Sequence, residues 1–460
     1  MKSTPVGSLV VASLAVVLAF SACPVTPGPD GGTGGGGGGG GGGMDAGYVN
    51  YLPEVFESAY GRAIAVHGGK LYVAGNGIRE DAGTNNDFFV ARFNFDFTRD
   101  TTFGTDGVAV AAYDGGVAGG GTLPLNNDTP MALTFDGDKI VLAGGARAFT
   151  AGTGDPALAR FNADGTPDTT FGTSGLRLDD YGDTFPAMFT TVQVLPTGEL
   201  FAAGGLSNGG GRNEDIILLK YTAAGAVDTS FSLTDAGAGA ILDLGFGNAE
   251  QARGLFVQSS NNIVVGGGYG FPMARFLPGG GLDLAFGPNG TGVETNGNGE
   301  ARKVLQRADG TFWLIGGIEL NEDGGPGTER YFMKQVRVDA NGAAITGFGN
   351  SGDGRLISRV NEWGSLRGAA LQADGKLVIY YTYILQGRVT RLNVDGSVDT
   401  TFGTNGVKTV DIVLPLLEGG SGSGNQLTID GNTAYITDIN LVQATPSRTR
   451  QILGLVKVSL

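Results

Sequence analysis

From Tyr48 to Leu460 the sequence predicts an all-β fold, a seven-bladed β-propeller of four-stranded antiparallel blades. Three observations predict it. A turn ending in Phe, followed by Gly in five copies, recurs six times, a turn followed by an apolar run recurs seven times, and no stretch carries a helical period.

The first repeat reads "ARFNADGTPDTTFGTSG" in its fullest form, with sister copies such as "ARFNFDFTRDTTFGTDG" and "TRLNVDGSVDTTFGTNG". Its phenylalanines, or the residues aligned with them, are Phe103, Phe171, Phe231, Phe286, Phe348 and Phe402, a period near sixty. A basic residue stands eleven positions ahead of each: Arg92, Arg160, Lys220, Arg275, Arg337 and Arg391. In five copies an aspartate lies eight positions after it: Asp100, Asp168, Asp228, Asp283 and Asp399. An active site needs its special residues once, so six copies read as scaffold. The expected contact is a partly buried ion pair or an Asp-to-backbone cap, with the phenylalanine packed between blades. The fifth copy has Ile345 in place of the acid, so Arg337 is expected to turn to solvent or to find a partner such as Asp339.

The second repeat, as in "DGDKIVLAG" and "ADGKLVIYY", joins a Gly-containing hairpin signal to a run of Val, Ile, Leu and aromatics. An unbroken apolar run fits a strand buried on both faces. The Ala or Gly that usually follows fits crowding where sheets converge. Leu71, Ile140, Leu200, Ile263, Phe312, Leu377 and Ala434 should occupy equivalent positions. Each sequence unit contains four short strands: one after Phe-Gly, one before the hairpin, one after it, and the basic-residue strand. Ring closure also removes exposed edges. A β-solenoid is the alternative, but its coils are normally shorter than sixty residues. His67 stands where other copies have aspartate and is expected to be a solvated turn residue.

"LQADGKLVIYY" with "LNVDGSVDTTFGTNG" resembles the bacterial delta-60 repeat, and the likeness covers nearly all of Tyr48–Leu460. The resemblance implies a propeller-like fold and carries no general activity. Ser232 in the third copy and Ile345 in the fifth depart from the pattern. The Gly-Gly doublets after the central strand are similar to kelch propellers, without that motif's tryptophan and tyrosine.

The amino terminus has a different character. Lys2 precedes an uncharged, mostly apolar run from Val6 to Phe20, and "AFSAC" ends at Cys23, the chain's one cysteine. The run reads as a signal-peptide core. The segment resembles the lipobox of bacterial lipoproteins, with Phe20 where an aliphatic residue is usual. That resemblance implies cleavage before Cys23, a lipid on its sulfur, and an outer-membrane address in a Gram-negative cell, facing periplasm or exterior. Residues 1–22 are thus expected to be a signal peptide and 23–47 a disordered tether. Twelve of the thirteen residues from Gly31 to Gly43 are glycine, which cannot bury a core. The tether's root-mean-square reach is roughly 25–30 Å.

Acidic residues outnumber basic ones 45 to 30, for a net charge of −15 without any Lys/Arg run, so no nucleic-acid partner is expected. A single histidine and a single cysteine exclude multi-histidine and cysteine-rich metal centres. No cofactor is expected. Calcium (Ca2+) is the ion the Asp-rich turns suggest, yet Asp164 is replaced by Ala224, Gly279 and Asn341 in sister copies, and turn chemistry explains these residues more simply.

In a four-strand meander the hairpins and Phe-Gly turns share one face, while the connections of unequal length share the other. Recognition is expected on the second face. Its candidate ligand-binding residues are Glu80, Asp81, Asp87, Arg212, Glu214, Asp215, Glu322, Asp323, Glu329 and Arg330, with Trp363 as a stacking residue. The expected role is a monomeric binding or scaffold module for protein or glycan. The alternative is a carboxylate-based polysaccharide hydrolase or lyase, marked by two acids about 5–10 Å apart in a pocket on that face.

Overall fold

The computed structural model divides the chain into Met1–Gly42 and a compact unit, Gly43–Leu460. It describes Leu52, Phe56 and residues 58–460, apart from segments 79–85, 114–127, 147–153, 182–185, 208–213, 233–239, 243–249, 290–292, 295, 322–328, 350–351, 359–363, 384–385, 411–424, 438–440 and 445–448. The expected signal peptide, Cys23 and the glycine tether lie outside the described residues. Among the described residues, no helix is long and apolar enough to cross a membrane.

Seven antiparallel sheets follow one another along the chain. Blade 1 comprises Ser58–His67, Lys70–Ile78, Asn86–Phe93 and Val108–Ala111, paired in that order. Blade 2 is Thr129–Asp136, Lys139–Ala146, Asp155–Phe161 and Leu176–Leu178, and blade 3 is Ala187–Val194, Leu200–Ser207, Glu214–Tyr221 and Ala240–Leu242. Blade 4 comprises Gly254–Val257, Ile263–Gly266, Met273–Phe276 and Val293–Glu294. Blade 5 contains Glu300–Gln306, Phe312–Asn321, Glu329–Val338 and Arg355–Ser358, with Gly268–Tyr269 added beside its first strand. Blade 6 is Ser365–Leu371, Leu377–Tyr383, Gln386–Leu392 and Val407–Val410. Blade 7 pairs Leu427–Asp430, Thr433–Thr437 and Leu455–Ser459, and a separate hairpin joins Leu441–Ala444 to Thr449–Ile452. Each first strand contacts the first strand of the next blade, and that of blade 7 contacts that of blade 1. The seven first strands therefore surround the centre of a closed ring.

Sequence units and blades are out of phase. The strand after Phe-Gly pairs with the basic-residue strand before it, as Val108–Ala111 does with Asn86–Phe93. It closes its own blade and does not open the next. Local reversal at the turn makes this pairing the low-entropy one.

The apolar cores lie between blades. One cluster joins Tyr72, Phe88 and Phe103 of blade 1 to Ile140, Leu142 and Phe161 of blade 2, and six similar clusters fill the other junctions. Adjacent residues of one central strand serve opposite junctions: Leu142 packs towards blade 1 and Val141 towards blade 3. That is why the central run is apolar without alternation. The seven positions from Leu71 to Ala434 are equivalent, each fully buried and each paired with the third strand of its blade.

Crowding at the small residue after the central run has a local cause. A β-bulge interrupts the first strand of blades 1, 2, 3 and 5 opposite this residue, and pushes a carbonyl towards it. A Cβ on Gly75 would lie 1.9 Å from the Tyr60 oxygen, one on Gly204 1.8 Å from that of Met188, and one on Gly316 1.8 Å from that of Glu300. These carbonyl contacts are within a blade, while the second glycine of the doublet meets the neighbouring sheet as expected: a Cβ on Gly145 would lie 3.0 Å from Met188 of blade 3.

Candidate functional site

The repeated turn is a fastening between blades. In blade 2, Arg160 Nε donates to Asp168 Oδ2 at 2.7 Å, and both side chains are 3% exposed. Lys139, which opens the central strand, donates to the same oxygen at 2.9 Å. Asp168 Oδ1 accepts from the Thr170 backbone and hydroxyl, so one carboxylate serves as ion pair and turn cap together. The Arg160 guanidinium lies 4.6 Å from the Phe171 ring centre. Equivalent pairs join Lys220 to Asp228, Arg275 to Asp283, and Arg391 to Asp399, at 2.7–2.8 Å. Arg92 Nε lies 3.0 Å from Asp100 in an ion pair poorly aligned for hydrogen bonding.

The far side of this assembly touches the next blade. The backbone N–H groups of Gly104, Gly172, Ser232 and Gly287 donate to the carbonyls of Asp164, Ala224, Gly279 and Asn341, one blade onward. Arg92 and Arg275 also donate to the next blade, at Ala163 O and Ala340 O. The rings of Phe103, Phe171, Phe286 and Phe348 sit beneath a turn glycine of the next blade, respectively Gly165, Gly225, Gly342 and Gly396. A Cβ on Gly225 would lie 2.9 Å from Phe171, and one on Gly342 2.7 Å from Phe286. These glycines also hold φ near +80°, which L side chains resist. Blade 1 differs, since no such phenylalanine reaches it from blade 7. Phe97 occupies the glycine position at φ 69°, and its buried ring packs edge-on to Tyr435 of blade 7.

In blade 5 Arg337 does find another partner, as one branch of the expectation had it, but that partner is not Asp339. Arg337 is only 8% exposed and does not pair with Asp339, which caps its own turn. Its guanidinium donates to Thr311 Oγ1 at 3.0 Å and to Val394 O of blade 6, lies 4.0 Å from Asp309, and packs against Trp313 and Phe348. With Ile345 in the acid's place, its Nε has no hydrogen-bond partner. Aromatic packing and the carbonyl of the next blade keep it buried. His67 is also corrected: it stacks 4.2 Å from Phe135 and meets Asp138 at 3.0 Å, so it bridges blades 1 and 2.

Hydrogen bonds from Lys220 and Ser230 lower the Asp228 carboxyl to about 2. Hydrogen bonds from Thr102 and Lys70 hold Asp100 far below the ordinary range; those from Lys376 and Thr401 do so at Asp399. Burial would raise Asp168, yet bonds from Thr170 and Lys139 more than reverse this. These acids are harder to protonate in the fold than in the unfolded chain, where aspartate titrates near about 3.9. Their stabilisation is complete above that value and is lost as pH falls through the folded values. Urea unfolding between pH 6 and pH 2 is therefore expected to weaken mainly below about pH 4. Asp168→Asn should flatten that decline; an unchanged profile would remove the paired aspartates as its source.

The sequence-predicted ligand residues fall into two groups, those outside the described residues and those placed in strands. Glu80, Asp81, Arg212, Glu322, Asp323 and Trp363 lie outside the described residues. Asp87 pairs with Gly77 in blade 1 and is fully buried. Glu214 and Asp215 open the third strand of blade 3, in register with Ser207 and Leu206. Glu329 and Arg330 open that of blade 5, in register with Asn321 and Leu320. Among the described residues, no group of three or more His, Cys, Asp or Glu is placed to hold a metal ion. A cleft of about 510 Å3 opens between the last strand of blade 2 and a blade 3 turn. It is lined by Thr173, Arg177 and Ala224, so it belongs to the fastening.

One group of charges was missed by sequence reasoning. The bulged first-strand residues are Arg62, Met131, Thr190, Arg302 and Arg367 in blades 1, 2, 3, 5 and 6. Arg253 in blade 4 takes the same place, its N–H bonded to Gly266 O just ahead of the Gly254–Gly266 pair. Thr190 Oγ1 and, in blade 7, Gln426 Nε2 donate to Ala252 O and Gly61 O, the residues preceding the next blade's arginine. These positions therefore lie where successive first strands meet. Four of them are arginine. Glu300 bridges Arg302 at 2.7 Å and Arg253 at 3.5 Å. Burial, with Arg253, Arg302 and Arg367 nearby, pushes the Lys303 ammonium down to about 7. The available signal was an arginine nine or ten residues ahead of the central strand in four units.

Fold and repeat together define a β-propeller repeat protein. The family model described as a domain of unknown function (DUF5122) beta-propeller matches residues 69–103, 138–171 and 372–402. Among curated proteins, none matches the chain in sequence. Solved structures similar to it include the selenomethionine-substituted virginiamycin B lyase from Staphylococcus aureus, at 11% identity and TM-score 0.44, covering 90% of this chain and 100% of that one. The polysaccharide lyase Uly1 aligns at 11% identity and TM-score 0.44, over 87% of this chain and 90% of its own. The alpha-L-arabinofuranosidase Arb93A from Fusarium graminearum aligns at 7% identity and TM-score 0.45, over 91% and 98%.

Proposed function

We propose that this protein is a membrane-tethered, extracytoplasmic lipoprotein whose propeller binds a protein or glycan through its variable-connection face. The observation that carries this reading is the division of labour between the two faces. On the uniform face, the repeated Arg, Asp and Phe residues are engaged in fastening one blade to the next. Connections on the other face differ in length and composition from blade to blade. A rigid ring carrying unlike loops on one side is suited to recognition. Screening the full chain, purified in detergent, against a glycan array and in envelope pull-downs should yield a ligand that loop substitutions on this face abolish. Ligand binding that survives those substitutions and is lost on changing the uniform turns would overturn the reading.

The anchor has a separate test. Cys23→Ala is expected to move the protein from the membrane to the soluble extracytoplasmic fraction, because the thiol is the lipid's attachment point. Full retention in the membrane fraction would reject the lipoprotein reading.

A further inference from the structure

We infer that the mouth of the ring binds an acidic glycan, a chain of uronate-type sugars, through the arginines of the first-strand bulges and the tyrosines beside them. This rests on the binding-module reading above and supplies its ligand chemistry.

The cations are placed by the fold. A β-bulge turns a side chain away from the regular alternation of its strand. Here bulges hold Arg62, Arg302 and Arg367 at matched positions, with Arg253 in the corresponding place on blade 4. All four stand in the first half of a first strand or just ahead of it, towards the variable-connection face. Blades 4, 5 and 6 give a continuous arc, and blade 1 continues it beyond the uncharged Gln426 of blade 7. Lys303 adds a buried ammonium beside Arg302. Among the described residues, Glu300 bridges two of the arginines and Glu250 is buried three residues ahead of Arg253.

A guanidinium recognises a carboxylate through paired N–H donors, and several in an arc suit a ligand with repeated carboxylates better than a single anion. The adjoining aromatics favour a sugar over a peptide. Tyr269 is 39% exposed and pairs directly with Glu300. Tyr60 carries the Arg62 guanidinium over its ring at 5.4 Å. A tyrosine offers an apolar face and a polar tip, the combination that stacks on a pyranose ring while meeting its hydroxyls. The net charge of −15 opposes an anionic ligand only at long range. At physiological salt such repulsion is largely screened beyond about 8 Å, whereas contact with the arc is not.

The test is calorimetric titration of the full-length protein with oligogalacturonate, a neutral oligosaccharide of equal length, and an oligoglutamate peptide. Oligogalacturonate should bind with an affinity that falls with salt, and the neutral sugar should not. Arg302→Gln combined with Arg367→Gln should weaken binding at least about ten-fold, and Tyr269→Ala should weaken it several-fold, with thermal unfolding unchanged. If the double variant does not fold, Tyr269→Ala decides by itself. No binding of oligogalacturonate, or equal binding by the variants, overturns the inference. Equal affinity for oligoglutamate overturns the choice of glycan. A neutral ligand found on the glycan array would leave the binding-module reading standing while this inference fails.

Discussion

Asp168→Ala is expected to lower the free energy of urea unfolding by about 3–5 kcal/mol, the range for breaking a buried ion pair from one side. Arg160 and Asp168 are each 3% exposed, so the aspartate's removal leaves the buried Nε of a guanidinium that water cannot reach readily without its partner. Arg160 retains Asp136 at 3.2 Å, and Lys139 loses its partner as well. The turn also loses the acceptor for Thr170. An exposed pair would contribute under about 1 kcal/mol, so the size of the loss separates a buried fastening from surface decoration. Asp164→Ala is the control: it removes an aspartate four residues away whose turn is exposed. Equal losses at Asp164 and Asp168 would show that turn capping, and not the buried pair, sets the effect.

Phe171→Ala should cost about 3–5 kcal/mol, the usual price of emptying a buried aromatic site. The ring is fully buried in the cluster joining blades 2 and 3, beneath Gly225 and beside the Arg160 guanidinium. A cavity here cannot collapse easily, because the Gly172 to Ala224 hydrogen bond holds the two turns at fixed separation. Phe171 and Asp168 share Arg160, so the double variant should lose less than the sum of the single ones. Additive losses in that cycle would mean that ring and carboxylate act independently. Unchanged unfolding in both variants, with ligand binding abolished, would make these turns functional and not structural.

Much of the architecture was legible because it repeats. Blade number follows from counting Phe-Gly turns and hairpins, and two-sided burial follows from unbroken apolar runs such as "KIVLAG". The Arg-to-Asp spacing of eight foretold the ion pairs, since a turn between them must bring the chain back. That Arg337 finds another partner was legible, but which one was not, because its partners lie far along the chain: Thr311 in the hairpin of its own blade, and Val394 in blade 6. His67 was misjudged for the same reason, as its stacking partner Phe135 belongs to blade 2.

The sequence by itself determined the quantities that depend on local order: strand identity, turn positions, blade number, net charge and the residues available at each repeat. Tertiary structure decided which copy of a repeat touches which neighbour. Strand phasing, the seat of four of the phenylalanines under the next blade's glycine, and the substitution of Phe97 at the junction of blades 7 and 1 all depend on that. So does the gathering of Arg62, Arg253, Arg302 and Arg367, which lie up to 305 positions apart along the chain. Ring closure brings them near one axis, and pattern along a single chain records the spacing within a unit but not the distances between units.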